Sequence, residues 1–254
     1  SWNWAATPET EGNRFFGQGK YGANKKRAKV AWYNIDNTIY QSTGQNLPEI
    51  SESARENHYA RSVAIQEIYR NRDRNIGINL QQTFDIAYFP EERGMYNFNS
   101  DLTADGLLKN PKQNWAGITR AITSEVDFDK NNIEYIEFWL LDPFIETDRG
   151  IVDDGSEDAT NNTTGGTLFF NLGSVSEDIL PDNKLAYENG LPANYDNTAE
   201  VDITEEGRVP SNSPITDVFS TDPGARANQD IGLDGVRNDL EAEFYRDFVN
   251  EINS

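Results

Sequence analysis

The chain of 254 residues is long enough for one large domain or two small ones with a substantial core. Only 36% of its residues are hydrophobic, but the 5 Trp, 11 Tyr and 13 Phe each bury far more area than an alanine does. Because the formal net charge is −21, the surface repels phosphate, which excludes nucleic acid as a partner and disfavours an anionic membrane surface.

The residue types exclude several kinds of site as well. The absence of cysteine excludes disulfides, a thiol nucleophile and thiolate zinc sites, and the single histidine, His58, excludes multi-histidine metal sites. The sequence contains no run of about 18 apolar residues, so it predicts no transmembrane helix. The chain begins at Ser1 without a signal-peptide pattern, and we expect it to be a mature or excised piece of a longer protein.

In chain order, residues 1–26 are predicted to be irregular and residues 27–36 to form a strand. Ser53 and Glu56 resemble a capping box that opens a helix over residues 54–69. Residues 76–89 alternate between apolar and polar side chains, which predicts a half-buried strand. The side chains predicted to face inward are Ile78, Leu80, Phe84, Ile86 and Tyr88.

The middle of the chain carries two strongly apolar segments. Residues 115–123 predict a strand and residues 127–132 a turn, which leads into residues 133–141. Both faces of 133–141 are mostly apolar, which predicts a central strand covered on both sides. Residues 167–172, ended by Gly173, predict a second such strand, so the pair is typical of the centre of a β-sandwich.

The last third is predicted to be mostly loop until a final helix. We expect an exposed, mobile loop at 148–166 and a loop-rich stretch at 174–223 with one short helix at 182–188. Residues 239–252 predict an amphipathic helix, capped by Asn238 or Asp239, whose apolar stripe should dock on its own domain. The stripe consists of Leu240, Phe244, Phe248 and Ile252.

Eight phrases between Arg27 and Gly235 resemble, in this order, the SprA/Sov family, the giant outer-membrane translocon of the type IX secretion system. They are RAKVAWYNID, FDIAYFPEERGMYNF, LLKNPKQNWAGI, NNIEYIEFWLLDPF, GGTLFFNLGSVSEDILPD, YENGLP, GRVP and QDIGLDG. The resemblance implies a segment of a very long polypeptide that exports proteins across the outer membrane and in some bacteria supports gliding motility.

The resemblance also implies partners and a location. The partners would be other parts of the same translocon chain, a PorV-like outer-membrane subunit, a periplasmic plug protein and secreted cargo proteins. We expect this segment to lie in an aqueous compartment without spanning the membrane. The extracellular side is favoured over the periplasmic side, because the longer loops of outer-membrane proteins lie outside the cell.

Part of the same sequence also resembles the galactose-binding-like jelly rolls of carbohydrate-binding modules. This resemblance rests on the run WAGITRAIT, DFDKNN, IEYIEFWLLD and GGTLFFNLG. We therefore predict a mainly-β fold: one soluble domain over 1–254, a β-sandwich or jelly-roll core over about 76–175, a few peripheral helices and long acidic loops. The predicted core residues are Ile78, Leu80, Phe84, Ile86, Ile136, Phe138, Leu140, Phe170 and Leu172.

A ligand-binding patch is predicted on one face of the central sheet. Tyr135, Glu137 and Trp139 share a strand face, and Arg120 and Asn171 would join them from neighbouring strands. Aromatic rings and charged hydrogen-bonding groups together are typical of sugar-binding sheets. The alternative is a buried Glu137–Arg120 ion pair with no ligand.

Two acidic clusters raise the possibility of calcium as a cofactor. Asp127, Asp129 and Asn131 resemble the start of an EF-hand loop, but the required glycine and glutamate are replaced by Asn132 and Phe138. A jelly-roll calcium site or an ordinary acidic turn remain the two interpretations. The second cluster, before the last helix, consists of Asp230, Asp234, Asn238 and Asp239, where helix capping is the alternative.

No catalytic constellation is predicted. Glu134 and Glu137 point to opposite faces of one strand, so they cannot form a glycosidase pair. No serine lies in a GxSxG motif, and His58 is expected to be solvated on a helix. The resemblance to the translocon family makes a non-catalytic structural and interaction domain of a secretion translocon the first hypothesis. A carbohydrate-binding module is the second hypothesis, and a hydrolase is the weakest.

Overall fold

The computed structural model describes residues 1–9, 12, 14–40, 51–72, 79–124, 126–148, 151, 161–184, 190–212 and 219–254. The chain divides into two compact units. The first unit comprises Ser1–Val30, Tyr88–Ile122 and Asn171–Ser254, and the second comprises Ala31–Ala87 and Thr123–Phe170. The expectation of a single domain over the whole chain stays a prediction.

The strands are short and pair two by two. β1–β6, β3–β4 and β7–β8 are antiparallel pairs, and β2 pairs with β5. The strands in the described residues are β1 (Asn3–Trp4), β2 (Ala28–Tyr33), β3 (Val63–Ala64), β4 (Leu80–Gln81), β5 (Asp85–Arg93), β6 (Ile118–Thr119), β7 (Val201–Ile203) and β8 (Arg208–Pro210).

The helices are also short, and among the described residues none combines the length and apolarity that crossing a bilayer requires. They are α1 (Glu52–Glu56), α2 (Ile65–Ile68), α3 (Pro223–Gln229), α4 (Asn238–Phe244) and α5 (Arg246–Ile252), with 3₁₀ turns at Gly22–Asn24, Asn37–Tyr40, Pro111–Gln113 and Thr198–Glu200. Few helices and several small antiparallel sheets agree with a mainly-β fold.

The core of the first unit is built on the C-terminal helices. Val236, Tyr245 and Phe248 form a buried cluster, against which Phe98, Leu240 and Phe244 pack. The Phe98 ring stacks on Tyr245 at 5.1 Å and meets Phe248 edge-on at 5.3 Å between centroids. The predicted C-terminal helix is therefore confirmed, and its stripe docks on its own unit.

Two details of that helix differ from the prediction. It breaks at Tyr245, which has φ −96° and ψ 21° and separates α4 from α5. The N-cap is Arg237, without a side-chain capping bond, so the predicted capping by Asn238 or Asp239 is wrong. The reason is that the Asp239 carboxylate accepts two hydrogen bonds from the Arg237 guanidinium, at 3.0 and 2.9 Å.

A buried arginine organises the N-terminal part of the first unit. Arg27 is 2% exposed, and its guanidinium lies 4.6 Å above the Trp115 ring. Its Nε donates to Asn24 Oδ1 at 2.7 Å and its Nη1 to the Ala5 carbonyl at 2.7 Å. These contacts join β1, β2 and the segment before β6, although residues 1–26 were predicted to be irregular.

The hairpin β7–β8 closes against the segment before α4. The backbone N–H of Arg208 donates to the Asp234 carbonyl at 2.6 Å. A Cβ on Gly207 (φ 156°) would lie 2.3 Å from that same carbonyl oxygen, and a Cβ on Gly235 (φ 64°) would lie 2.3 Å from the Arg208 carbonyl oxygen. Two glycines are therefore needed where the two backbones approach each other.

The prediction of the core residues is wrong for most of them. Phe84, Ile86, Ile136, Phe138, Leu140, Phe170 and Leu172 are all exposed, with fractions between 41% and 68%, and Leu80 is only half-buried. Ile78 lies outside the described residues. The physical reason is that alternation predicts two faces but not a covering layer, and the strands within the described residues form only separate two-stranded sheets.

The predicted strand at 76–89 has the opposite facing from that expected. Gln81, Thr83 and Asp85, which were predicted to face outward, are half-buried, whereas Phe84, Ile86 and Tyr88 are exposed. Thr83 donates from Oγ1 to Asp85 Oδ2 at 2.9 Å, so polar pairing replaces apolar packing on that side. The strand itself runs later than predicted, over Asp85–Arg93.

The helix predicted at 54–69 is broken into α1, the strand β3 and α2. The Ser53 side chain lies outside the described residues. At the start of α2, Glu67 Oε1 accepts the Ala64 N–H at 3.0 Å and its Oε2 pairs with Arg61 at 3.0 Å. Most of the loop predicted at 148–166 lies outside the described residues. Part of the helix predicted at 182–188 lies outside them as well.

Candidate interaction surface

Residues 133–141 and 167–170 form an exposed apolar surface of the second unit, which we call the aromatic ribbon. Neither segment forms a helix or strand, although both are fully described. Tyr135 is 76% and Trp139 72% exposed, and their apolar neighbours on the opposite face, Ile136, Phe138 and Leu140, are exposed too. Both faces of 133–141 are therefore exposed, whereas the sequence predicted a strand that is covered on both faces.

The two segments of the aromatic ribbon meet at one aromatic pair. The rings of Phe138 and Phe170 lie 4.7 Å apart between centroids at an angle of 42°. Exposed apolar areas of this extent are rare on soluble monomers and mark interaction sites.

The aromatic ribbon is held at both ends of its first segment. Before it, the Asp127 side chain accepts the Lys130 N–H at 3.0 Å, and the Ile133 N–H donates to the Phe128 carbonyl at 2.9 Å. After it, the Tyr59 hydroxyl donates to the Pro143 carbonyl at 2.7 Å. A bound partner would therefore meet a segment whose two ends are already fixed.

His58 also holds the end of the aromatic ribbon. Its Nε2 lies 2.7 Å from the Asp142 carbonyl oxygen, and because a carbonyl can only accept, Nε2 carries the proton. The ring meets Tyr59 edge-on at 5.7 Å between centroids. His58 lies after α1 and not on a helix as expected, and its half-buried side chain anchors the backbone.

The predicted ligand patch is divided between the units. Tyr135, Glu137 and Trp139 lie in the second unit, whereas Arg120 and Asn171 lie in the first. The Arg120 guanidinium lies over the Trp2 ring at 5.8 Å. Glu137 and Arg120 are both exposed, so the alternative of a buried ion pair is wrong.

The predicted calcium residues form a turn. The Asp127 backbone carbonyl accepts from the Asn131 N–H at 3.1 Å and from its Nδ2 at 2.8 Å, and the Asp129 carbonyl accepts the Asn132 N–H at 3.2 Å. Asn132 has φ 52°, the left-handed conformation that asparagine tolerates in such turns. The Asp127 carboxylate also accepts the Lys130 N–H, so this acidic side chain acts as a turn former.

The second acidic cluster is used in packing. Asp234 Oδ2 accepts from the Tyr245 hydroxyl at 3.1 Å and Oδ1 accepts the Val236 N–H at 3.1 Å, while exposed Asp230 lies 3.8 Å from Arg226. Among the described residues, no group of three or more Asp, Glu or His side chains is arranged to hold a metal ion.

A carboxylate group in the first unit was missed by the sequence reasoning. Burial raises the pKa of Glu206, and the negative charges of Glu205 and Asp182 raise it further. Burial also raises the pKa of Asp178, next to Asp182. The sequence contains only spaced acidic residues here, and nothing in their spacing indicates that the chain brings them together.

This group predicts a pH effect on stability. The folded pKa of Glu206 lies above its unfolded value, so ionised Glu206 destabilises the folded state at neutral pH, and the penalty disappears as the pH falls through the raised pKa. We expect Glu206→Gln to be more stable than the wild type at pH 7, with the difference vanishing below the ordinary glutamate pKa. Thermal melting across this range measures it, with exposed Glu243→Gln as the control; equal pH profiles for both variants would contradict the prediction.

No protein family profile matches the sequence, and no curated protein matches it.

Proposed function

We propose that this chain is a non-catalytic structural and interaction segment of a type IX secretion translocon, acting in protein export across the outer membrane and in gliding motility. The proposal rests first on the order of the eight phrases that resemble the SprA/Sov family. It rests structurally on the aromatic ribbon, because an assembly subunit needs a surface that is covered only in the assembled state.

The proposal includes the fold of the aromatic ribbon. Residues 133–141 and 167–170 have the doubly apolar pattern of central strands, and both segments lie uncovered. We propose that they become strands of the predicted β-sandwich or jelly roll when a partner pairs with them. The partner classes are other parts of the same translocon chain, a PorV-like subunit, a periplasmic plug protein and cargo, with the segment in an aqueous compartment on the extracellular side.

Crosslinking in intact cells tests this proposal on the natural full-length protein. A photo-reactive amino acid at Trp139, the exposed centre of the aromatic ribbon, should capture another part of the same polypeptide or another secretion component. The same amino acid at exposed Glu243, in the first unit, is the control. No capture from Trp139, or the same products from both positions, would contradict the proposal.

Substitutions in the aromatic ribbon test the same proposal through cargo export. Aromatic anchors at an interface contribute about 2 kcal/mol or more, so Phe138→Asp with Trp139→Asp should reduce cargo export by more than about tenfold. Because both side chains are exposed, the fold of the free chain should be retained, which circular dichroism checks.

One observation favours a carbohydrate-binding function as the second candidate. Tyr135 and Trp139 are the most exposed aromatic side chains of the aromatic ribbon, and such rings can stack on sugars. Under this alternative, glycans would quench Trp139 emission and Trp139→Phe would abolish the signal. We expect at most weak, millimolar-range sugar affinity and no hydrolysis of ester, peptide or glycoside substrates.

A further inference from the structure

We propose that the first segment of the aromatic ribbon binds an extended peptide strand that carries two basic residues three positions apart between apolar residues. The inference deepens the proposed interaction function and rests on it, since it names the chemistry of the occupant. It depends on three observations: free backbone groups, exposed apolar faces and the spacing of two unpaired carboxylates.

The backbone of residues 134–141 is available for pairing. Within the described part of the chain, these residues make no backbone hydrogen bond, whereas Ile133 before them is bonded to the preceding turn. A segment with unpaired N–H and C=O groups and apolar side chains is what strand addition requires: main-chain bonds supply affinity and alternate side chains supply specificity. An extended peptide can satisfy both at once.

The negative charges of this segment favour a positively charged peptide. Glu134 and Glu137 are exposed, and no ion pair within the described residues involves either of them. Asp142, Glu146 and Asp148, which follow, are exposed acids as well. A second copy paired through the same segment would bring these carboxylates together, so like charge disfavours self-association and favours a basic partner.

The spacing of the two carboxylates sets the spacing of the basic residues. Side chains alternate between faces in a strand, so Glu134 and Glu137, three positions apart, lie on opposite faces. A paired strand places its residues directly opposite at the same spacing. Its basic residues must therefore also be three positions apart, one on each face, with apolar residues beside them.

Synthetic peptides as long as residues 133–141 test the inference on the whole chain. The probe has two lysines three positions apart among valine and threonine. Matched peptides have glutamate in place of lysine, the lysines two positions apart, or N-methyl groups on alternate amides. Binding is measured by calorimetry and by the blue shift of Trp139 emission, with Trp139→Phe to identify the signal.

We expect the first peptide to bind and each matched peptide to bind at least about tenfold more weakly. The double variant Glu134→Lys with Glu137→Lys should prefer the acidic peptide to the basic one. The control is Glu177→Lys with Glu243→Lys, which changes the net charge equally at exposed sites and should keep the preference for the basic peptide. Binding that ignores charge, spacing or N-methylation would overturn the inference, and so would a dimer of the free chain that Glu134→Lys abolishes.

The two proposals fail separately. If no peptide binds but Trp139 crosslinks to secretion components in cells, the strand inference fails and the proposed function stands. If the basic peptide binds but the crosslinks capture no part of a secretion system, the proposed function fails and the strand inference stands.

Discussion

Replacing Phe248 by alanine is expected to destabilise the first unit by about 3–5 kcal/mol, because the change removes a large buried ring and leaves a cavity. Phe248 is 8% exposed, and its ring contacts Phe98 and lies 6.5 Å from Tyr21 between centroids. The Arg93 guanidinium lies 5.7 Å from the same ring. Thermal and denaturant unfolding measure the loss.

The same helix offers a matched control. Ile252 belongs to the predicted stripe but is 40% exposed, so Ile252→Ala should cost much less than Phe248→Ala. Deleting residues 239–254 should destabilise the unit at least as much as Phe248→Ala does. Equal effects of the two point changes, or a melt unchanged by the deletion, would show that the stripe does not dock as described.

The second large effect is expected at Arg27. Replacing it with alanine removes the hydrogen-bond donors of Asn24 Oδ1 and the Ala5 carbonyl and empties the space over Trp115. Asn24 Oδ1 keeps only a 3.4 Å contact with the Thr7 hydroxyl. The loss of a donor at a buried acceptor costs about 1–3 kcal/mol, and the packing on Trp115 is lost as well, so we expect a total loss of about 3 kcal/mol. Differential unfolding measurements check this value.

Two further variants separate packing from hydrogen bonding at Arg27. Arg27→Met keeps an apolar stem against Trp115 but no donor, so it should recover only the packing part of the loss. Arg246→Ala, at an exposed position of α5, is the control and should change stability by less than about 0.5 kcal/mol. Full recovery by methionine would mean that the hydrogen bonds contribute nothing net.

The charge of Arg27 explains why this site is sensitive. Burial lowers the pKa of its guanidinium to about 10, so the group is still charged at neutral pH. Within the described residues no carboxylate pairs with it, and neutral acceptors and the Trp115 ring compensate the charge. Removing any of these acceptors should therefore destabilise the unit more than a surface substitution does.

Local sequence patterns determined the elements whose stability is mostly local. The strand predicted at 27–36 is present as β2 over Ala28–Tyr33. The repeat of apolar residues at every fourth position after Asn238 was enough to predict the C-terminal helix and its docking side, because a helical stripe of that width must be buried. The turn at 127–132 was also predicted, since Asp and Asn form such turns through their own side chains.

Only the tertiary structure decided which apolar faces are covered. The alternation in 133–141 predicts two apolar faces, yet nothing in it states whether a second layer exists, and both faces are exposed. The pair β1–β6 and the contacts of Arg27 join residues far apart in sequence, which local propensity does not encode. The sequence by itself therefore determined local elements and the sites of apolar surface, whereas long-range pairing decided which surface became core and which remained available to a partner.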